Sequence, residues 1–161
     1  MIKVLFVCLG NICRSPMAEF LFKDMVKKRN LEDRFLIESA ATSSEEEGNH
    51  IYYKAQEKLA ELGIFTNGKV ARQLNKSDYE KFDYILGMEE SNIRNIIRIV
   101  GNDDKNKVYR LLDFSQNPRD IADPWYTGNF DKTYMDIMEG LEAYLKYLEI
   151  NKKIWKKELD F

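Results

Sequence analysis

The sequence predicts an α/β fold, a parallel sheet covered by helices on both faces. Strand-like runs alternate with helix-like runs along the chain, and each strand-like run is strongly apolar, as strands buried on both faces are. Nothing divides the 161 residues: there is no internal repeat, low-complexity tract or Gly/Ser linker, so residues 1–161 read as one domain.

Val4 to Cys8 is apolar and rich in branched and aromatic side chains, and Gly10 and Asn11 follow it as turn residues, so it reads as the first buried strand. Ser15-Pro16 reads as a helix entry, with Ser as cap and Pro at the first helical position. Met17, Phe20, Leu21, Met25 and Val26 continue at helical spacing. Phe35 to Ala40 is the second strand candidate. Ile51 to Leu62 is helical, with Ala55, Leu59 and Leu62 on one face and Gly63 as its stop. Phe82 to Leu86 is the third strand candidate, and Ile93, Ile96, Ile97 and Val100 mark a helix ending at Gly101. Val108 to Leu112 is the fourth strand candidate. Tyr134, Ile137, Met138, Leu141, Tyr144, Leu145 and Leu148 then form a long amphipathic helix.

Composition narrows the function classes. Twenty-five basic against 27 acidic residues leave a net charge of −2, which gives no electrostatic case for nucleic acid. No stretch approaches the ~18–20 apolar residues of a membrane span. The apolar start stops at Leu9 with no small-residue cleavage site, so the expected location is the cytoplasm, with both sulfurs as thiols. Two cysteines and one histidine exclude a disulfide scaffold and a zinc cluster. His50 reads as a surface residue at a helix entry. Monomer is the default.

Chemistry concentrates in residues 8–15, Cys-Leu-Gly-Asn-Ile-Cys-Arg-Ser, between a buried strand and a helix N-terminus. Ligands in such sheets bind beyond the carboxyl ends of the strands, and the first strand ends at Cys8. A loop there turns the backbone N–H groups of Leu9, Gly10, Asn11, Ile12 and Cys13 inward toward an oxyanion. Arg14 adds a bidentate grip on two phosphate oxygens. The Cys8 sulfur would sit under the phosphorus, its negative charge stabilised by the same donors, with Ser15 donating a further hydrogen bond. A buried cysteine packed at a strand end is the competing reading, but it leaves Arg14 without a reason to stand at a helix entry. The chain has neither Gly-x-x-x-x-Gly-Lys-Ser/Thr nor Gly-x-Gly-x-x-Gly.

This loop, with Ser39-Ala40-Ala41-Thr42, Ala71-Arg72-Gln73, Phe82-Asp83-Tyr84-Ile85-Leu86 and Asp123-Pro124-Trp125-Tyr126 in order, resembles the low-molecular-weight protein tyrosine phosphatases. The resemblance implies a flavodoxin-like three-layer sandwich with a four-stranded parallel sheet. It also implies two-step hydrolysis of phosphotyrosine in proteins or peptides, without metal or cofactor, with inorganic phosphate as product and inhibitor. Cys8 would be the nucleophile, forming a phosphocysteine; Arg14 would hold the phosphate and Asp123 would act as general acid. On its residues alone, Asp123-Pro124 reads equally well as a turn. Trp125 and Tyr126 would wall the substrate slot, or else staple the loop. Asn11 and Ser15 resemble the family's loop-ordering residues, and Asp83 a buried aspartate that supports the loop.

Ile12 narrows the substrate: relatives acting on phosphoarginine tend to carry threonine here, and an apolar branched side chain offers a guanidinium no polar partner. Protein arginine phosphatase is the alternative. A thioredoxin-coupled arsenate reductase would need further cysteines, and none follows Cys13. A phosphate-binding adaptor would be expected to have lost Cys8, Arg14 or Asp123. Two positions depart from the family. Glu45, in the run Glu45-Glu46-Glu47, takes the place of a slot aromatic and reads either as repelling acidic phosphopeptides or as solvated loop. Lys69 replaces a histidine that supports the loop. Cys13 is either a small packed residue or, as the resemblance implies, the partner that traps oxidised Cys8 in a disulfide. The tail from Asn151 to Phe161, with Trp155 and four lysines, reads as a cap on the last helix or a partner contact.

Overall fold

Strand β1, Ile2–Cys8, forms the centre of the sheet because Val4, Leu5, Phe6 and Val7 have no exposed surface and need cover on both faces. The computed structural model describes residues 1–151 and residue 153; the expectation for the tail, Trp155 included, lies outside them. β1 pairs in parallel with β2, Phe35–Ala41, from Ile2 opposite Phe35 to Cys8 opposite Ala41. On its other edge it pairs with β3, Tyr84–Gly87, from Val4 opposite Tyr84 to Val7 opposite Gly87. β4, Val108–Arg110, adds outside β3, giving the order β2-β1-β3-β4.

Helices cover both faces. Val4, Phe6 and Cys8 point toward α1 (Arg14–Lys28), α2 (Tyr53–Glu61) and the long helix Phe130–Ile150. Leu5 and Val7 point the other way, toward α3 (Asp78–Lys81) and α4 (Glu90–Val100). With the short helix α5 (Pro124–Thr127), the long helix becomes α6. The result is a three-layer α/β sandwich on a four-stranded parallel sheet. The chain leaves β1 for β2 on one side and reaches β3 on the other, so the strand order reverses at the carboxyl end of β1. No helix among the described residues is long and apolar enough to cross a membrane.

Several boundaries differ from expectation, each for a local reason. The fourth strand stops at Arg110, and Leu111–Phe114 is a 3-10 turn. Asp113 draws the chain round, accepting from the Arg110 N–H at 2.8 Å and from its Nε at 2.9 Å. The third strand starts at Tyr84, because Phe82 still belongs to the end of α3, its N–H donating to the Asp78 carbonyl at 3.0 Å. α2 begins at Tyr53, and the exposed His50 forms a bridge with Val70 instead of a helix entry. Gly63 follows α2 in the left-handed region, φ 76°, as a stop residue should.

The first helix departs more usefully. It begins at Arg14, with Cys13 in the cap position, so Ser15 is its second residue and caps nothing. Pro16 is its third residue, where the missing N–H has no intrahelical acceptor to lose. The Ser15 hydroxyl is therefore available to the site.

Candidate active site

Cys8 ends β1 at the reversal point and is 3% exposed. Its Sγ accepts from the Asn11 N–H at 3.3 Å and the Ser15 N–H at 3.4 Å, and lies 3.0 Å from the Ser15 hydroxyl oxygen. Asn11 Nδ2 donates to that same oxygen at 2.8 Å, so the hydroxyl proton is left for the sulfur or for the Ala40 carbonyl at 3.4 Å. Donors converging on one sulfur stabilise negative charge there.

The loop turns through the left-handed region at Asn11, a conformation that few residues other than glycine and asparagine adopt. Asn11 sits at φ 58° and is fully buried. Its amide makes that tolerable. Nδ2 also donates to Ser39 Oγ at 2.9 Å, and Oδ1 accepts from the Arg72 N–H at 3.2 Å. Ser39 passes the connection on, donating to Glu19 Oε1 at 2.5 Å.

Arg14 comes from the first turn of α1 and is 2% exposed. Nη1 donates to Glu89 Oε2 at 2.7 Å and to the Ile121 carbonyl at 2.8 Å, which fixes the guanidinium plane. Nη2 donates to Asp123 Oδ2 at 3.3 Å. Burial opposes its charge, but Cys8, Asp123 and Glu89 outweigh it and hold the guanidinium pKa above the ordinary arginine value. Asp123 caps α5, its Oδ1 accepting from the Trp125 N–H at 3.0 Å. The aspartate thus serves as a turn residue and faces Cys8 and Arg14 at once.

These residues enclose a cavity of about 260 Å³. Cys8, Leu9, Gly10, Ile12, Cys13 and Arg14 of the loop line it together with Asp123, Trp125 and Tyr126. Ser43, Glu45 and Glu46 complete the lining, so the four expected slot residues Ile12, Glu45, Trp125 and Tyr126 border one cavity. Glu46 lies against the loop, its Cγ near the α-carbon of Gly10, and accepts from Asn49 Nδ2 at 2.7 Å. Cys13 is 4% exposed; burial first, then the charges of Cys8 and Asp123, push its thiol up to about 12.

One expectation fails. Asp83 does not support the loop: it is exposed and accepts from the Lys3 N–H at 2.8 Å. Lys3 is near the start of β1 and Cys8 at its end, so at ~3.3 Å per residue Asp83 stands about 16 Å away, at the wrong edge of the sheet. The carboxylates behind the site are Glu19 and Glu89, neither singled out from sequence. Both had signals. Glu19 is four residues after Ser15 on the inward face of α1, and Glu89 follows β3 at the same sheet edge as Cys8. At the other departure, Lys69 Nζ donates to the Ser39 carbonyl at 3.1 Å and pairs with Glu19 Oε1 at 3.3 Å.

Residues 3–157 match the family model described as low molecular weight phosphotyrosine protein phosphatase. The chain is 40% identical over 156 residues to the low molecular weight protein-tyrosine-phosphatase YfkJ of Bacillus subtilis, spanning 96% of this chain and 100% of that one. The crystal structure of YfkJ superposes with a TM-score of 0.90 at 40% identity, covering 94% of this chain and 97% of that one. The structure described as Drosophila arginine phosphatase superposes at 0.83 with 31% identity, covering 92% and 98%. The chain belongs to the low molecular weight phosphotyrosine protein phosphatase family.

Proposed function

We propose that this protein hydrolyses phosphotyrosine in proteins or peptides through Cys8, Arg14 and Asp123. The observation that carries the reading is the convergence of the Asn11 N–H, the Ser15 N–H and the Ser15 hydroxyl on Cys8 Sγ, with Arg14 and Asp123 facing the same cavity. The Cys8 thiolate attacks phosphorus; the S–P bond forms as the bond from phosphorus to the phenolic oxygen breaks. Asp123, in its protonated form, gives that proton to the departing phenolate. Water then attacks the phosphocysteine, Asp123 takes its proton, and the S–P bond breaks to release inorganic phosphate. The departing sulfur receives hydrogen bonds from the same three donors. With Nη1 anchored, Arg14 turns Nη2 and the rest of its fork to the equatorial oxygens.

Ile12 and Trp125 support an aromatic substrate over a guanidinium, since both offer apolar surface to a flat ring. The setting is taken to be cytoplasmic and the protein monomeric, with inorganic phosphate as competing product.

The test is turnover of a phosphotyrosine peptide in excess EDTA by wild type and Cys8→Ser. Wild-type turnover lost in a folded Cys8→Ser that still binds phosphate supports the reading. Turnover of phosphoarginine but not phosphotyrosine transfers the assignment to the arginine enzyme, and near-normal rates in Cys8→Ser remove Cys8 as nucleophile.

A further inference from the structure

The four residues of α5 cannot hold themselves in place, because so short a helix closes too few hydrogen bonds to offset its own ordering. Yet Asp123 serves the slot only if α5 stays put relative to the phosphate loop. Asp123 Oδ2 is met directly by Arg14 Nη2 at 3.3 Å, and a second restraint reaches the carboxylate through Trp125. Asp123 Oδ1 accepts from the Trp125 N–H at 3.0 Å, which couples the other carboxylate oxygen to the position of Trp125. The Trp125 indole is 54% exposed and packs edge-on against the ring of Tyr52, centroids 4.8 Å apart at 62°.

Tyr52 is itself held from several sides. Its ring lies nearly parallel to that of Phe130, the first residue of α6, at 6.1 Å and 26°, and touches Tyr53 at 4.9 Å. Its backbone N–H donates to the Ile12 carbonyl at 2.9 Å, inside the phosphate loop. Its own carbonyl accepts from the N–H groups of Ala55 and Gln56, which starts α2. One residue thus joins the phosphate loop, the starts of α2 and α6 and the turn that carries Asp123.

We propose that Tyr52 is a positioning residue for proton transfer to the leaving group. Its ring holds Trp125, and through the Trp125 N–H the Asp123 carboxylate, in register with the loop that grips phosphate. The inference rests on Asp123 being the general acid. The ring carries the effect and the hydroxyl does not, because the contact to Trp125 is ring against ring. Tyr52 lines neither the floor nor the walls of the cavity, so it acts only through the groups it places. Misplacing a catalytic group by about 1 Å costs up to ~100-fold in rate, and only steps that use the group are affected.

The experiment compares kcat/KM for a phosphotyrosine peptide with that for 2,4-dinitrophenyl phosphate, whose leaving group departs as a stable anion without a proton. kcat/KM reports the step in which the leaving group departs. Tyr52→Ala is expected to lose about 10-fold or more on the peptide and less than about 2-fold on the dinitrophenyl ester. Tyr52→Phe keeps the ring and is expected to stay within about 2-fold of wild type on both. Equal losses on the two substrates, no loss on either, or failure of Tyr52→Phe to restore the peptide rate each overturn the proposal. Asp123→Asn is the control. If it shows the substrate split and Tyr52→Ala does not, the positioning role falls alone; if Asp123→Asn shows no split, the acid assignment falls with it. Should Tyr52→Ala not fold, Tyr52→Leu keeps part of the apolar bulk without an aromatic ring and is held to the same outcomes.

Discussion

The ammonium of Lys69 stands 3.3 Å from Oε1 of Glu19, a carboxylate whose side chain is 4% exposed. Glu19 Oε2 is met from the other side by Lys23 Nζ at 2.6 Å. From this doubly paired carboxylate a chain of hydrogen bonds runs through Ser39, Asn11 and Ser15 to the Cys8 sulfur. The conformation of the phosphate loop is thereby referred back to a buried charge cluster on α1 and the segment before Arg72. At the position where the family resemblance leads one to expect a histidine, this chain places the Lys69 ammonium against that carboxylate.

Replacing Lys69 removes one of two cations from a buried carboxylate. Losing the sole partner of a buried charge costs ~3–5 kcal/mol, and the remaining Lys23, itself 44% exposed, reduces that. Lys69→Met is therefore expected to lower stability by about 1–2 kcal/mol in urea titration and to slow turnover as Asn11 loosens. Lys69→His tests the charge itself. A histidine beside Glu19 has its folded pKa raised above ~6.5, so its stabilisation is complete below that pH and lost as pH rises through the folded value. Urea midpoints of Lys69→His should fall relative to wild type between about pH 6 and pH 8. Parallel curves for the two proteins would show that the charge of residue 69 does not matter.

Glu89 does for Arg14 what Glu19 does for Asn11. It fixes Nη1 at 2.7 Å while itself anchored by the Ser91 hydroxyl at 2.6 Å. Glu89→Ala leaves a buried guanidinium with a carbonyl and a longer contact to Asp123, and Arg14 is then drawn toward Asp123 and away from substrate. Inhibition by inorganic phosphate should weaken by about 10-fold, the worth of one well-placed charged hydrogen bond. An unchanged inhibition constant would show that the Ile121 carbonyl alone orients the guanidinium.

The site was legible where it is continuous in sequence and obscure where it is not. Cys8, Asn11, Arg14 and Ser15 belong to one strand–loop–helix unit, so spacing alone brings their functional atoms together. Arg14's anchors, Glu89 and Ile121, come from the far ends of other segments and meet it only through the β1–β3 pairing. Asp83 shows the opposite error. The resemblance gives Asp83 a role in supporting the loop, yet it precedes β3, and residues preceding a parallel strand lie at the end of the sheet away from the ligands. The strand set follows from apolar runs, but the same runs extend the fourth strand over Leu111 and Leu112, because apolar content does not separate a buried strand from a buried turn. The charge-assisted bend at Asp113 made that distinction.

Leu111 also sets a packing limit. A β-carbon on Gly140, midway along α6, would stand 2.5 Å from Leu111 Cγ, with both methyls within 3.2 Å. Alanine improves the intrinsic helix propensity by ~1 kcal/mol, but forcing a methyl into a filled core costs ~1–3 kcal/mol, and Leu111 is fully buried with no room to yield. Gly140→Ala should lower Tm by about 2–6 °C while leaving kcat/KM within about 2-fold of wild type. A raised Tm would show that the turn after β4 gives way easily.

Cys13 offers a test of redox protection in which pH decides the outcome. Its thiol is pushed up to about 12 by burial first and then by Cys8 and Asp123. Oxidation of Cys8 to the neutral sulfenic acid removes one of those effects and leaves burial and Asp123 in place. Disulfide closure needs the Cys13 thiolate, which attacks the Cys8 sulfur as the S–O bond breaks; the oxygen leaves as hydroxide and takes up a proton from solvent to become water. The thiolate is scarce at neutral pH, and its fraction grows about tenfold per pH unit below the pKa. Closure should therefore speed up by roughly tenfold per unit between pH 7 and pH 9, read as the ratio of disulfide to dimedone-trapped sulfenic acid by mass spectrometry. Cys13→Ser should lose the thiol-recoverable fraction after peroxide at pH 9 and differ little from wild type near pH 6.5. A closure rate flat with pH, or full recovery of Cys13→Ser at pH 9, would leave Cys13 as a packed loop residue.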